Sequence, residues 1–262
     1  MQKLDGIRLI SLVNKGGFCK IYKAQRNSVT EAEDQNSLLA VKILKRKYVK
    51  SPSHIFTIEN EYKITRALAH KSILPTYDLL KHGTFIALTR KFVNAPSMKV
   101  FMERNQSGIW GEISSIISLA EALSYLHAQG VIHGDIKPSN ILILPDFTII
   151  LLDFGVAEKV NCPGPKLAYS YSPDYSSPEK IMGFRSDFCD DVYSFGCVTC
   201  EFIFNRRLLN YQPFLGHFKN DAHVIPRFRD LKPLLLECIS PNPKNRPRDG
   251  MLLYRRLREI FC

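Results

Sequence analysis

Three short runs of apolar and β-branched residues open the chain, Ile7–Asn14, Cys19–Gln25 and Leu38–Leu44, and each reads as a strand. A polar stretch, Arg26 to Ser37, separates the second run from the third and reads as an exposed hairpin tip. Ser53 to Ala69 reads as a helix, and Pro75–His82 with Thr84–Phe92 as a further strand pair. From Ile113 the period changes. Ile113, Ile116, Ile117, Ala120, Leu123 and Leu126 recur every three or four positions, which makes one buried helical face. Gly130 is placed to end that helix. Ile141–Leu144 and Thr148–Leu152 read as short strands around the turn residues Pro145 and Asp146. Beyond Ser177 the chain is mostly helical and closes with Met251–Phe261. Strands first and helices later predict an α+β fold of two lobes. The smaller, β-rich N-lobe takes residues up to about 92, a hinge falls at about 91–96, and the larger helical C-lobe takes about 97–262. A nucleotide cleft between such lobes is the natural ligand site.

Composition changes this picture little. The chain has 262 residues, 45% of them hydrophobic, enough for a sizeable core. A net charge of +11 favours acidic partners such as phosphoproteins, nucleic acid, anionic membrane or nucleotide, and a solvated basic face accounts for it equally well. The basic runs Lys45, Arg46, Lys47, Lys50 and Arg255, Arg256, Arg258 are not interleaved with aromatics, so nucleic acid is not expected as a direct ligand. Seven scattered cysteines and a start that is no signal peptide predict a reducing, intracellular setting, cytoplasmic or nuclear. No apolar run approaches the length of a membrane span, and no membrane association is expected. Cys197-Val-Thr-Cys200 lies inside the apolar helical stretch Val192 to Phe204 and reads as buried thiols rather than a metal or redox pair.

The candidate chemistry lies in His133-Gly-Asp135-Ile-Lys137-Pro-Ser-Asn140, followed closely by Asp153-Phe-Gly155. Two carboxylates, a lysine and an amide stand where phosphoryl transfer from ATP to a hydroxyl needs them. Asp135 can receive the hydroxyl proton, Lys137 can balance charge developing on the γ-phosphate, and Asn140 and Asp153 can hold Mg²⁺, or Mn²⁺, against the phosphates.

These motifs resemble the catalytic loop and metal motif of eukaryotic-type protein kinases of the serine/threonine type. The resemblance runs from about Ile7 to about Ile260, which implies one kinase domain over residues 1–262 using ATP and acting on protein substrates, and the net charge adds acidic ones to that expectation. Ala40-Val41-Lys42 is similar to the family's strand-borne lysine motif, and Glu61, rather than Glu59, has the spacing of its glutamate partner. Val13, Ile21, Ala40 and Leu142 are implied to sandwich the adenine, with Lys91 and Val93 in the hinge and Gly16 and Gly17 in the phosphate-covering loop. Arg90, or Thr89 if the alignment slips by one, falls where the back of the adenine site is gated. Ser172-Pro-Asp-Tyr175-Ser-Ser-Pro178-Glu179 resembles the peptide-docking segment. There the resemblance implies that Ser172 bonds Asp135 and Lys137, that Tyr169, Pro173 and Ser176 line the site for the residue after the phosphoacceptor, and that Glu179 pairs with Arg246. Asp191 corresponds to the helix aspartate that ties down the catalytic loop.

Two departures stand out. In the glycine-rich loop Asn14 and Cys19 replace the first and third glycines. The expectation is a thiol over the phosphates and a weaker nucleotide grip. In the catalytic loop Gly134 replaces the arginine that clamps an activation-segment phosphate, and Ala168 falls where many members carry the phosphorylated threonine. An active serine/threonine kinase, a catalytically silent module of the same fold and a kinase-fold enzyme acting on a small molecule are the three readings. The docking segment speaks against the last, and only the stretch Asn14–Cys19 speaks for the second.

Overall fold

A computed structural model describes residues 6–26, 38–104, 109–160, 172–204 and 229–261. The chain divides into two compact units, Met1–Asn94 and Ala95–Cys262.

In the first unit, β1 (Ile7–Lys15), β2 (Cys19–Arg26), β3 (Leu38–Leu44), β4 (Thr76–His82) and β5 (Phe85–Lys91) form an antiparallel sheet in the order β1-β2-β3-β5-β4. Side chains alternate across a strand, so the sheet has two different faces. One face buries Ile7, Ala24, Leu39, Val41 and Ala87. The other buries Cys19, Leu44, Ile86 and Leu88 under Ile58 of helix α1 (Pro52–Arg66). Helix α1 begins at Pro52 because proline's missing N–H is no loss in a first turn. It stops at Arg66, short of the expected Ala69, where the Ala67 amide turns back to the Ile64 carbonyl at 3.1 Å. The polar insert 27–37 lies outside the described residues.

The second unit is mainly helical. A short helix that periodicity did not announce, α2 (Met98–Glu103), is capped by Ser97, whose Oγ accepts the Val100 N–H at 3.3 Å. The amphipathic run is α3 (Ile109–Ala128), ended by Gly130 at φ +68°. Next come β6 (Val131–Ile132), β7 (Ile141–Ile143), β8 (Ile149–Leu151) and β9 (Glu158–Lys159), paired antiparallel as β6 with β9 and β7 with β8. Among the described residues, helices α4 (Pro178–Ile181), α5 (Phe188–Phe204), α6 (Leu231–Cys238) and α7 (Gly250–Phe261) follow. Helix α7 lies so close on α3 that a Cβ at Gly250 would stand 2.5 Å from the Leu123 backbone, which makes glycine obligatory there. Cys197, Cys200 and Cys238 are buried between α5 and α6. Burial pushes all three thiols up, Cys197 to about 12. Among the described residues no helix is long and apolar enough to cross a membrane.

Candidate active site

In the second unit the catalytic-loop residues form one hydrogen-bonded cluster. Lys137 Nζ donates to Asp135 Oδ2 at 2.6 Å and to Ser172 Oγ at 2.9 Å, while Ser172 Oγ donates to Asp135 Oδ1 at 2.8 Å. Asn140 Nδ2 donates to both the carbonyl and the Oδ2 of Asp135, each at 3.0 Å. Sequence spacing placed Asp135, Lys137 and Asn140 on one loop, and the folded chain brings Ser172 onto it with the two bonds that the resemblance implied.

The loop is held from below by Asp191 on α5. Its carboxylate accepts the backbone N–H of His133 at 2.7 Å and of Gly134 at 2.8 Å. His127 on α3 adds a third bond, Nε2 to Asp191 Oδ2 at 3.1 Å. The Gly250 N–H donates to His127 Nδ1 at 2.7 Å, so Nδ1 carries the lone pair and the ring proton sits on Nε2, facing the carboxylate. Burial alone would raise the Asp191 carboxyl. The His127 bond, the neighbouring histidines and the backbone amides outweigh it and hold the group below its ordinary range. His133 is fixed the same way: the Asp135 N–H donates to its Nδ1 at 3.2 Å, and its Nε2 faces the Leu152 carbonyl at 3.1 Å.

Leu152 in turn donates its N–H to the Asn140 carbonyl at 2.8 Å, tying the metal-motif strand to the catalytic loop. Asp153 follows in left-handed backbone at φ +64°, which aspartate tolerates better than most residues. With the Asn140 amide nitrogen committed to Asp135, its Oδ1 is the atom left to face a cation. An amide oxygen and a carboxylate are hard donors, the set that suits Mg²⁺ or Mn²⁺ completed by phosphate oxygens and water.

The docking segment is anchored at its C-terminal end. Ser176 Oγ donates to the Ser172 carbonyl at 2.9 Å, Tyr175 Oη to Glu201 Oε2 at 2.6 Å, and Ser194 Oγ to the Tyr175 carbonyl at 2.7 Å. Glu179 on α4 pairs in a fork with Arg246, with Nη2 to Oε2 at 3.0 Å, and Arg246 lies over the Tyr193 ring. Burial acts to raise the Glu179 carboxyl, but Arg246 holds it below its ordinary value. Residues 161–171 lie outside the described residues, and Tyr169 and Ala168 with them. Leu142, on β7, bridges to Ser97.

In the first unit, Lys42 on β3 donates to Glu61 Oε2 at 2.6 Å, with Lys42 5% and Glu61 0% exposed. Glu59 instead meets Lys81 on β4. Arg90, not Thr89, shares the face of Glu61: its Nη1 donates to Glu61 Oε1 at 3.1 Å, while Thr89 Oγ1 bonds Asp78 on the other face. Val13 lies on β1 and is exposed, Ile21 lies on β2 and Ala40 on β3, the latter two half-buried. Lys91 ends β5, and Val93 follows it.

The phosphate-covering loop departs from expectation. Cys19 is 5% exposed and packs into the core beside Leu44, Ile58, Ile86 and Leu88, so its thiol does not lie over a ligand. Cys19 opens β2, and strand alternation turns it onto the face that α1 covers. Gly16 and Gly17 are held by Lys45, whose ammonium donates to both of their carbonyls, the Gly17 bond measuring 2.7 Å. Lys45 reads in sequence as one member of a basic run, and no local signal marks it as the loop's tether.

The protein kinase domain model matches residues 8–253, and the chain belongs to that family. A probable serine/threonine-protein kinase of Clostridium acetobutylicum is 28% identical over 247 residues, covering 89% of this chain and 36% of the relative. Serine/threonine-protein kinase PknA of Mycobacterium tuberculosis is 28% identical over 264 residues, 93% of this chain and 58% of the relative. Serine/threonine-protein kinase PLK4 of Xenopus tropicalis is 26% identical over 259 residues, 94% of this chain and 26% of the relative. The chain thus spans between about a quarter and somewhat over half of these proteins' lengths.

Proposed function

We propose that this chain is an ATP-dependent serine/threonine protein kinase whose two units act as one catalytic domain, linked through residues 91–96. The observation that carries the reading is the Asp135–Lys137–Ser172–Asn140 cluster. It presents a carboxylate whose orientation is fixed from three sides.

Asp135 accepts the proton of a substrate hydroxyl as that oxygen bonds to the γ-phosphorus and the bond to the ADP oxygen breaks. Lys137 balances charge on the transferring group. Asn140 and Asp153 hold Mg²⁺, which neutralises phosphate charge; Mn²⁺ suits the same donors. Lys42, steadied by Glu61, binds the α- and β-phosphates, while Gly16 and Gly17 cover them. Val13, Ile21, Ala40, Lys91, Val93 and Leu142 receive the adenine. Lys137 is the serine/threonine-type choice in the family, and the names of the relatives agree. The +11 charge favours acidic protein substrates. The five described cysteines form no disulfide among the described residues, which accords with an intracellular site of action.

The test is transfer of labelled γ-phosphate from ATP to a protein or peptide array, with Mg²⁺ and with Mn²⁺, alongside an Asp135→Asn control. Phosphoserine or phosphothreonine formed only by the wild type is the expected result. Nucleotide binding without transfer by a correctly folded wild type would overturn it.

A further inference from the structure

Glu61 is fully buried, and its two oxygens serve two cations from two neighbouring strands. Oε2 takes Lys42 of β3 at 2.6 Å and Oε1 takes Arg90 of β5 at 3.1 Å. Arg90 is itself 6% exposed. A guanidinium is always charged, so burying one requires a partner, and Glu61 is that partner. The strand register explains the meeting. Ala40 stands opposite Arg90 and Lys42 opposite Leu88, so Lys42 and Arg90 emerge on the face that α1 covers.

The two cations differ in what else draws on them. Lys42 is the group that resemblance assigns to nucleotide phosphates, so its ammonium is shared between Glu61 and a ligand. No phosphate role falls to Arg90, which leaves its Nη1 to Glu61 Oε1. We propose that Arg90 is a positioning residue: it keeps α1 docked on the sheet through Glu61 independently of Lys42. The Lys42–Glu61 pair is then assembled in the chain itself, without a partner protein to press α1 inward. The docking claim stands on the first unit alone, and its catalytic consequence rests on the kinase reading above.

The experiment is amide hydrogen exchange over residues 52–66, read by mass spectrometry, in the wild type, Lys42→Met, Arg90→Met, Arg90→Lys and the Lys42→Met/Arg90→Met double variant. Lys42→Met is expected to leave exchange across α1 within about threefold of wild type, while Arg90→Met accelerates it on the order of tenfold, the double variant more, and Arg90→Lys falls between. Equal loosening by Lys42→Met and Arg90→Met overturns the proposal, as does unchanged exchange in Arg90→Met. Should Arg90→Met not fold, Arg90→Lys against Lys42→Met carries the same comparison. In kinetics, kcat of Arg90→Met is expected to fall roughly 10–100-fold, the scale of a misplaced catalytic group, with the KM for ATP changing about threefold or less. If the wild type transfers no phosphate, the kinase reading falls, while the exchange data still decide the role of Arg90.

Discussion

Lys180 of α4 donates its ammonium to the Gly134 carbonyl at 2.6 Å. Gly134 sits in left-handed backbone at φ +76°, and a Cβ built on it would stand 2.9 Å from that same ammonium. At the position where the family carries a phosphate-clamping arginine, this chain places a lysine from beyond the activation segment. The bond ties the end of the segment to the catalytic loop with no phosphate involved.

Activity is therefore expected to survive removal of phosphate from the activation segment. Protein treated with phosphatase and checked by mass spectrometry should retain most of its turnover, whereas Lys180→Met should lose roughly tenfold, the scale of one lost charge-assisted bond. Gly134→Arg, which restores the family residue, should lower activity, because it strains the backbone and displaces Lys180. Loss of most activity on dephosphorylation, regained by phosphorylation within residues 156–176, would show the idea wrong.

Asp135→Asn is expected to cut turnover by about 10²–10⁴-fold, the range for loss of a general base. Its effect on ATP binding should be small, because the carboxylate faces the acceptor hydroxyl. Single-turnover assays and nucleotide titrations on the same preparation separate the two. Near-normal transfer by a folded variant would remove Asp135 from the role.

Asp153→Ala is expected to abolish metal-dependent transfer and to make nucleotide binding insensitive to Mg²⁺. Asn140→Ala should weaken the metal response less, since it removes a neutral donor and leaves the carboxylate. Thermal-shift titrations of ATP with and without Mg²⁺ read this directly. An Asp153→Ala protein with the wild-type metal response would contradict the assignment.

Cys19 should resist a small maleimide in the folded protein, because it is packed under α1. Peptide mapping after brief labelling is expected to find Cys19 unmodified until denaturant is added. Cys19→Gly should lower Tm by several degrees through lost packing and added backbone freedom. Rapid labelling of native Cys19, blocked by ATP, would return the thiol to the ligand side of the loop.

The Asp190 carboxyl gives a pH signature. It accepts the Ser177 hydroxyl and the Asp187 N–H, and burial raises it from 3.8 to about 6. A carboxyl raised in the folded state binds its proton more tightly there, so ionising it costs stability above about pH 6, and this cost disappears as pH falls toward 3.8. The Tm of wild type minus that of Asp190→Asn should therefore increase between pH 7 and pH 5. Glu179 works in the opposite direction: Arg246 holds its carboxyl below 4.5, and its stabilisation is lost only under more acidic conditions. A Tm difference that is flat or falling from pH 7 to pH 5 would contradict the Asp190 account.

Local sequence determined the elements and the loop chemistry. Strand runs, the helical period from Ile113 and the turn at Gly130 depend on neighbours within a few residues, and so do Asp135, Lys137 and Asn140, which one short loop carries. Glu61 and Arg246 were also legible, through spacing shared with a family. Short elements such as α2 and the β6–β9 pair were not, because two to six residues carry too little period to read. Tertiary structure decided which face each strand turns inward. That choice sends Cys19 into the core rather than over a ligand, and it sets Arg90 beside Glu61, 29 positions away. It also decided which distant groups close the remaining hydrogen bonds: Lys45 on the loop carbonyls, Lys180 on Gly134, and Gly250 setting the His127 tautomer. The cause is the same in each case. A buried charge or an unpaired backbone group must find a partner, and only the packed chain determines which one lies within reach.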